Sequence, residues 1–338
     1  MDLDELHRLS NGFTKAKVVL AAAELGLYEI TSGEGVTAGD AARKIVGDPR
    51  ATEILLDALV SVGVLSKRDD RYRTTAELEP ALRDDAPSQT VSMLRHRNRM
   101  FRHWALLEDR ILGRGPLPGS DRELLHDADA NRDFIRAMVS ASGSLASGII
   151  DRIDLTGVRR VADLGGGPGH YAREFAGRHE SIEVWLIDMP RTIETAHELG
   201  RYAANDASVR TIAWSFYDEP VPLGLPSFDL VFVSQVVHAE SPERNRDLFR
   251  TVAGLLAPGG RLVVQEFFVG PDRTTPPDAA LFAVNMLAMT PAGRAYTVSE
   301  VEEWARDAGL EPVGFEQVGE RSGLLTLRRG NSPVEERP

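Results

Sequence analysis

Between residues 155 and 330, short apolar runs rich in β-branched residues alternate with helical stretches, and this alternation restricts the chain more than any other feature. "VRRVADL", "IEVWLID", "SVRTIAW", "FDLVFVSQ" and "GRLVVQEFF" are five strand candidates, each followed by a helical or looped stretch. Strands alternating with helices predict a parallel sheet wound on both faces. The last two candidates, "EPVGFEQVG" and "SGLLTLRRG", stand too close together for a parallel crossover, so they predict an antiparallel hairpin at the sheet's edge. The expected fold class is therefore α/β, with a doubly wound, mostly parallel, seven-stranded sheet.

The preceding region has a different texture. "FTKAKVVLAAAELGLYEIT" carries apolar residues at helical spacing, Thr37 is a plausible N-cap for a second short helix, and Pro49 opens "RATEILLDALVSVGVL". In that third helix Ile54, Leu55, Ala58, Leu59 and Val62 are expected on one face. "LSKRDDRYRTT" predicts two short extended pieces about Asp69 and Asp70, and three helices followed by a hairpin is the order of a winged helix. Many winged helices read DNA through the third helix, but here that helix offers Glu53 and Asp57 against Arg50 alone, so phosphates would meet repulsion. A packing or dimerisation module is the better reading. "VSMLRHRNRMFRHWALLEDRILGRGPLPG" predicts one long helix with Met93, Met100, Phe101, Trp104 and Leu107 as its apolar stripe and Gly113 as its stop. The expected organisation is a mainly helical winged-helix dimerisation domain with a connecting helix at 1–112, the α/β domain at 113–330 and a flexible tail at 331–338.

Composition narrows the function. At 338 residues the chain has room for a substantial core. A formal charge of −12 argues against a general nucleic-acid binder, whose affinity rests on Lys and Arg neutralising phosphates. With no cysteine, disulfides, thiolate zinc sites and cysteine nucleophiles are excluded, and no cluster of His or carboxylates has evident metal-ligand spacing. The acidic start "MDLDELHRLS" lacks the basic-then-apolar order of a secretion signal, and no apolar run reaches the roughly 20 residues needed to cross a bilayer. A cytoplasmic enzyme of small molecules, with neither membrane nor nucleic acid as partner, is the expectation.

"VADLGGGPGH", residues 161–170, follows the first strand and precedes the helix "YAREFAGR", so a ligand should meet it at the carboxyl end of the sheet. A dinucleotide fingerprint counted from Gly165 would require glycine at His170. What stands instead is Asp163-x-Gly165-x-Gly167-x-Gly169. Asp188 closes the next strand, where a carboxylate can accept both ribose hydroxyls; the same acid would serve NAD. A merely tight turn and a helix cap are the bland readings of these two features.

The tighter glycine pattern resembles the first motif of the class I S-adenosylmethionine methyltransferases. Downstream, "FDLVFVSQVVHAESPE", "LAPGGRLVVQEFF" and "TPAGRAYTVSEVEEWARDAGL", with "RMFRHWALLEDRILGRGPLP" before them, are similar to the plant caffeic-acid type and bacterial antibiotic-pathway O-methyltransferases over nearly the whole chain. The resemblance implies a Rossmann-like catalytic domain, a homodimer formed through the N-terminal domain, S-adenosyl-L-methionine as cofactor and a small aromatic or polyketide-like acceptor. It implies a cofactor site of Asp163, Gly165, Gly166, Gly167, Asp188, Met189, Ser215, Phe216 and Ser234, with Phe216 against the adenine ring and Met189 on its other face.

By chemistry alone, His238 is a satisfied histidine ahead of a helix capped by Ser241 with Pro242 in its first turn. The resemblance makes it the general base, and makes Glu266 the acid that orients it. Departures from the family pattern are clear. Ala239 follows the base where the family has aspartate, the second flanking glutamate falls at Ala295, the Gly-Asp-aromatic adenine motif is replaced by "AWSFYD", and the lysine four residues before the base is Ser234. These leave C-methylation, or other chemistry on the same cofactor-binding fold, as the alternative; a DNA-binding regulator is a remoter one. The acceptor pocket is expected between the domains, from Met93, Met100, Trp104, Phe282, Asn285, Met286 and Met289.

Overall fold

The computed structural model describes residues 1–114, 128–143, 145–199 and 209–330. The chain forms two compact units, Met1–Arg102 with Arg136–Ala141, and His103–Ile135 with Ser142–Pro338. Residues 115–127, at the start of the second expected domain, and the tail expected at 331–338 lie outside the described residues.

The first unit carries helices Leu3–Asn11, Phe13–Glu24, Leu27–Ile30, Ala38–Ile45 and Pro49–Ser61, and a small antiparallel sheet in the order β1 (Val36–Thr37), β3 (Arg71–Thr74), β2 (Leu65–Arg68). Thr37 caps its helix by accepting from the Asp40 amide, and Asp48 caps the next from the Ala51 amide with Pro49 at the first turn. Asp69 and Asp70 both adopt positive φ, 48° and 57°, as the two-residue turn of a tight hairpin requires. The face expected for the helix Pro49–Ser61 is corrected by about one position. Leu56 and Leu59 are fully buried with Leu27, Tyr28 and Tyr72, whereas Ile54 is 54% exposed. Asp57, on the polar face, accepts from Lys67 at 2.9 Å and from the Tyr72 hydroxyl at 2.7 Å, and so ties helix to hairpin.

The single long helix expected from Val91 to Gly113 is also corrected: Thr90–Trp104 and Leu107–Ile111 are separate helices. No proline or glycine breaks them. The Leu106 amide closes on the His103 carbonyl, tightening the last turn, and the Trp104 indole is drawn off to Asn285 at 2.9 Å. The expected stripe is half-buried, and the residues this helix buries are Val91, Ser92 and Asn98. Asn98 accepts from Lys17 and donates to Glu24, which also takes Arg102.

In the second unit seven strands form one sheet: β4 (Arg160–Leu164), β5 (Glu183–Asp188), β6 (Val209–Ala213), β7 (Phe228–Ser234), β8 (Leu256–Glu266), β9 (Leu310–Val318) and β10 (Ser322–Arg329), in the order β6-β5-β4-β7-β8-β10-β9. β4 to β8 run parallel, and β10 is antiparallel to both its neighbours, β8 and β9. Both faces are covered, which is why the central strands read as continuous apolar runs. Ala162, Leu164, Trp185 and Ile187 pack with Leu248, Phe249 and Val252 on one face. Val161, Val184 and Leu186 pack with Tyr171, Phe175 and Ile193 on the other. The strand order reverses between β4 and β7, so the crevice at their carboxyl ends is where such sheets take ligands. No helix among the described residues is long and apolar enough to cross a membrane.

Candidate functional site

The turn after β4 is built from glycines in the left-handed region: Gly165, Gly167 and Gly169 have φ of 75°, 57° and 81°. Its glycines answer to different neighbours. A Cβ on Gly165 would stand 2.5 Å from a Val236 methyl, and one on Gly166 would stand 2.5 Å from both Asp163 Oδ2 and a Leu186 methyl. A Cβ on Gly167 would meet nothing within 4 Å. The protein's own packing therefore forbids side chains at the first two positions, while Gly167 faces open space.

Two carboxylates lie beneath this turn. Asp163 is fully buried, and neither of its oxygens has a hydrogen-bond partner among the described residues. Burial, and then the charge of Asp188, push it up to about 7. Asp188 accepts the Gly167 amide on Oδ2 at 2.8 Å and the Met189 amide on Oδ1 at 2.7 Å. Its burial raises it, and those two amides with Thr192 pull the other way. Asp188 is thus both a cap on its own chain and a brace for the glycine turn.

After β6, the Ser215 amide donates to Glu219 at 3.1 Å and its hydroxyl to Asp218 at 3.4 Å. Phe216 is buried, with its ring edge 3.5 Å from where a Gly165 Cβ would stand. Met189 is half-buried. Ser234 is turned inward: its hydroxyl donates to Gln265, whose amide donates to Ser322.

Four residues beyond Ser234, the short 3₁₀ turn Val237–Ala239 presents His238. His238 Nδ1 and Glu266 Oε1, 28 residues apart in sequence, meet at 2.8 Å. Glu266 is fully buried at the end of β8 and also accepts the amides of Phe267 at 2.8 Å and His238 at 3.3 Å. Three contacts thus converge on one carboxylate, and in the neutral ring that has its hydrogen on Nδ1, Nε2 would present its lone pair. Phe282 sets its ring at 89° to the imidazole, 4.7 Å between centroids, and Phe267 packs on Phe282 in turn.

Of the expected pocket residues, Phe282 is in contact with His238, Asn285 holds Trp104, and Met286 and Met289 are buried in their own helix, Pro277–Met289. Met93 and Met100 are half-buried on the helix Thr90–Trp104 of the first unit. Ala295, where a second acid was sought, is buried with Val269 and Ala279. Among the described residues no group of three or more His, Asp or Glu side chains is arranged to hold a metal.

Sequence reading overlooked two polar residues here. Gln235 adopts a φ of 57°, and its buried amide nitrogen has no partner among the described residues; nothing in its local sequence signals this. Asn245 is fully buried on the face that also carries Leu248, Phe249 and Val252, and a polar residue at that helical spacing was a legible signal.

Comparison with known proteins identifies the family. Residues 120–311 match the model of an O-methyltransferase domain, and residues 7–77 that of an O-methyltransferase dimerisation domain. The chain is 30% identical over 312 residues to the 3-hydroxy-5-methyl-1-naphthoate 3-O-methyltransferase of Streptomyces sahachiroi, covering 90% of this chain and 88% of that one. It is 26% identical over 334 residues to the tetracenomycin polyketide synthesis 8-O-methyl transferase TcmO of Streptomyces glaucescens, covering 97% and 96%. Human N-acetylserotonin methyltransferase, solved in complex with SAM, shares the fold with a TM-score of 0.80 at 23% identity, over 98% of this chain and 99% of that one.

Proposed function

The chain belongs to the O-methyltransferase family that carries a dimerisation domain, and from that premise we propose that it methylates a hydroxyl of a small aromatic or polyketide-type metabolite, with His238 as general base and the homodimer as its working form. S-adenosylmethionine is the methyl donor.

The residues present suit that donor. A buried carboxylate with no partner is costly, and Asp163 and Asp188 together make the end of β4 and β5 a place that favours positive charge, as on a sulfonium or an amino group. Gly167 leaves space for an amino-acid end, Asp188 has lone pairs for ribose hydroxyls, and Phe216 and Met189 offer apolar surface to adenine. When bound, the donor supplies a methyl group on a sulfonium, which leaves as a neutral thioether.

The chain's own task is to aim the acceptor and take its proton. A phenol near pKa 10 and an imidazole near 6.5 are about 3.5 pH units apart, or about 5 kcal/mol against complete prior deprotonation. Proton transfer to Nε2 therefore accompanies attack. Glu266 lowers that cost by holding Nδ1–H and by stabilising the imidazolium that results, without taking the proton itself. Phe282 and Phe267 keep the ring from rotating off Glu266.

The 2.8 Å contact between His238 and Glu266 is the observation that carries this reading. His238→Ala should bind S-adenosylhomocysteine as the parent does in calorimetry, yet lose about 10²–10⁴-fold in turnover on a phenolic acceptor identified from a panel of naphthoates, anthracyclines and simpler phenols. Unchanged turnover would remove the base and leave positioning alone to drive transfer.

A further inference from the structure

The turn that carries His238 is held from behind by a side chain with no part yet in the chemistry. Asn245, fully buried in the helix Pro242–Leu255, donates its amide hydrogens to the Val237 carbonyl at 2.9 Å and the Glu240 carbonyl at 3.4 Å. Those two carbonyls bracket His238. Because both can only accept, the amide orientation is fixed, and Asn245 Oδ1 must face the Tyr217 hydroxyl, which donates to it at 3.2 Å. Burial holds the Tyr217 phenol well above its ordinary range, so it remains a donor.

Tyr217 follows Ser215 and Phe216 directly, its ring 5.2 Å from that of Phe216. Arg244 lies over the Tyr217 ring at 5.0 Å and pairs with Asp218 at 3.1 Å and with Glu240 at 2.7 Å, which braces the same two segments from outside. The Tyr296 hydroxyl adds a second bond to the Glu240 carbonyl at 2.6 Å. An apolar residue would satisfy the packing around position 245, beside Leu248 and Phe249, without the desolvation cost of a primary amide. What an apolar residue could not do is hold both carbonyls.

We propose that Asn245, oriented by Tyr217, is a positioning residue for methyl transfer: it sets the turn around His238 and ties that turn to the Ser215–Tyr217 segment on the cofactor side. This rests on the reading of His238 as the base. The strut makes the position of the imidazole depend on the segment that carries Phe216, so the base and the cofactor site share one frame.

The test uses the full-length enzyme, with kcat, acceptor KM and Tm measured for Asn245→Ala, Tyr217→Phe, the double variant Tyr217→Phe with Asn245→Leu, and Asn245→Ala combined with His238→Ala. A misplaced base should cost Asn245→Ala about 10–100-fold in kcat with acceptor KM nearly unchanged, and the gentler Tyr217→Phe about 3–10-fold. Filling the space with leucine and removing the orphaned Tyr217 hydroxyl should bring Tm part of the way back towards the parent, the Val237 carbonyl still lacking its donor, while kcat stays low. In the His238→Ala background, Asn245→Ala should lower Tm as before yet leave the residual kcat within about twofold, because nothing is left to position. The proposal is overturned if the double variant recovers kcat along with Tm, or if Asn245→Ala costs the same factor with and without His238. Full turnover by His238→Ala alone would instead overturn the base assignment, an outcome distinct from full turnover by Asn245→Ala in an enzyme that His238→Ala disables.

Discussion

At the end of β4 the chain shapes its site with backbone: three left-handed glycines, with buried carboxylates beneath them. At the ends of β7 and β8 it uses side chains instead, an imidazole and a carboxylate brought together across 28 residues. The first arrangement tolerates little at Gly165 and Gly166, where any added Cβ meets a neighbour at 2.5 Å. In the second, one side-chain hydrogen bond joins the imidazole to the carboxylate, and neighbouring rings hold it in place. The two regions should therefore fail differently: the glycine turn through binding and stability together, the histidine pair through rate alone.

Glu266→Gln probes the rate end most severely. The amide offers Nδ1 a donor or a weaker acceptor and cannot stabilise an imidazolium, so kcat should fall about 10²–10⁴-fold while S-adenosylhomocysteine affinity, measured by calorimetry, is retained. An affinity loss of comparable size would erase the distinction between the two regions.

At the glycine end, Gly166→Ala and Gly167→Ala separate packing from ligand space. The first puts a methyl 2.5 Å from Asp163 and Leu186 and should cost about 1–3 kcal/mol of stability in chemical denaturation as well as cofactor affinity. The second meets no neighbour, so its stability loss should be confined to the strain of a left-handed alanine, about 1–2 kcal/mol, while donor affinity falls by a larger factor. Equal behaviour of the two variants would mean that nothing approaches Gly167.

A dependence on pH gives a further test. Asp163, at about 7, stands above its ordinary value near 3.9, so the folded chain keeps a proton that the unfolded chain releases between those limits. Its contribution to stability thus declines as pH rises from about 4 to about 7, by at most about 1.4 kcal/mol per pH unit. His170, lowered to about 4 by burial and then by Arg173, acts in the opposite sense over much of that window. The informative quantity is accordingly the difference between the parent and Asp163→Asn, followed by denaturant midpoint without cofactor. That difference should widen in favour of the variant as pH rises, and a flat difference would show that Asp163 is ionised throughout.

How much of this could be read from sequence follows the same division. The glycine turn, Asp188 and the closing hairpin announce themselves, because left-handed backbone, a strand-terminal acid and a short link each leave a local signature. The broken helix after Trp104 does not, since no proline or glycine marks it, and the indole hydrogen bond made at the break goes to Asn285, far along the chain. Ile54 was expected inside and lies outside because neighbouring apolar residues left the helix face ambiguous by one position. Ser234, set down as a cofactor contact by its place in the motif, spends its hydroxyl on Gln265, a partner visible only once β7 and β8 are side by side. Asn245 was legible as a polar intruder on an apolar helix face, but its partner Tyr217 belongs to another loop.

The order of strands carries one more consequence. β8, which ends in Glu266, is flanked on one side by β7 and on the other by β10, the last strand in chain order among the described residues. A ribosome-bound chain has made its histidine and its glutamate well before it has made the neighbour that closes β8 in from the far side. The frame around Glu266 is therefore complete only once that C-terminal strand has docked beside β8.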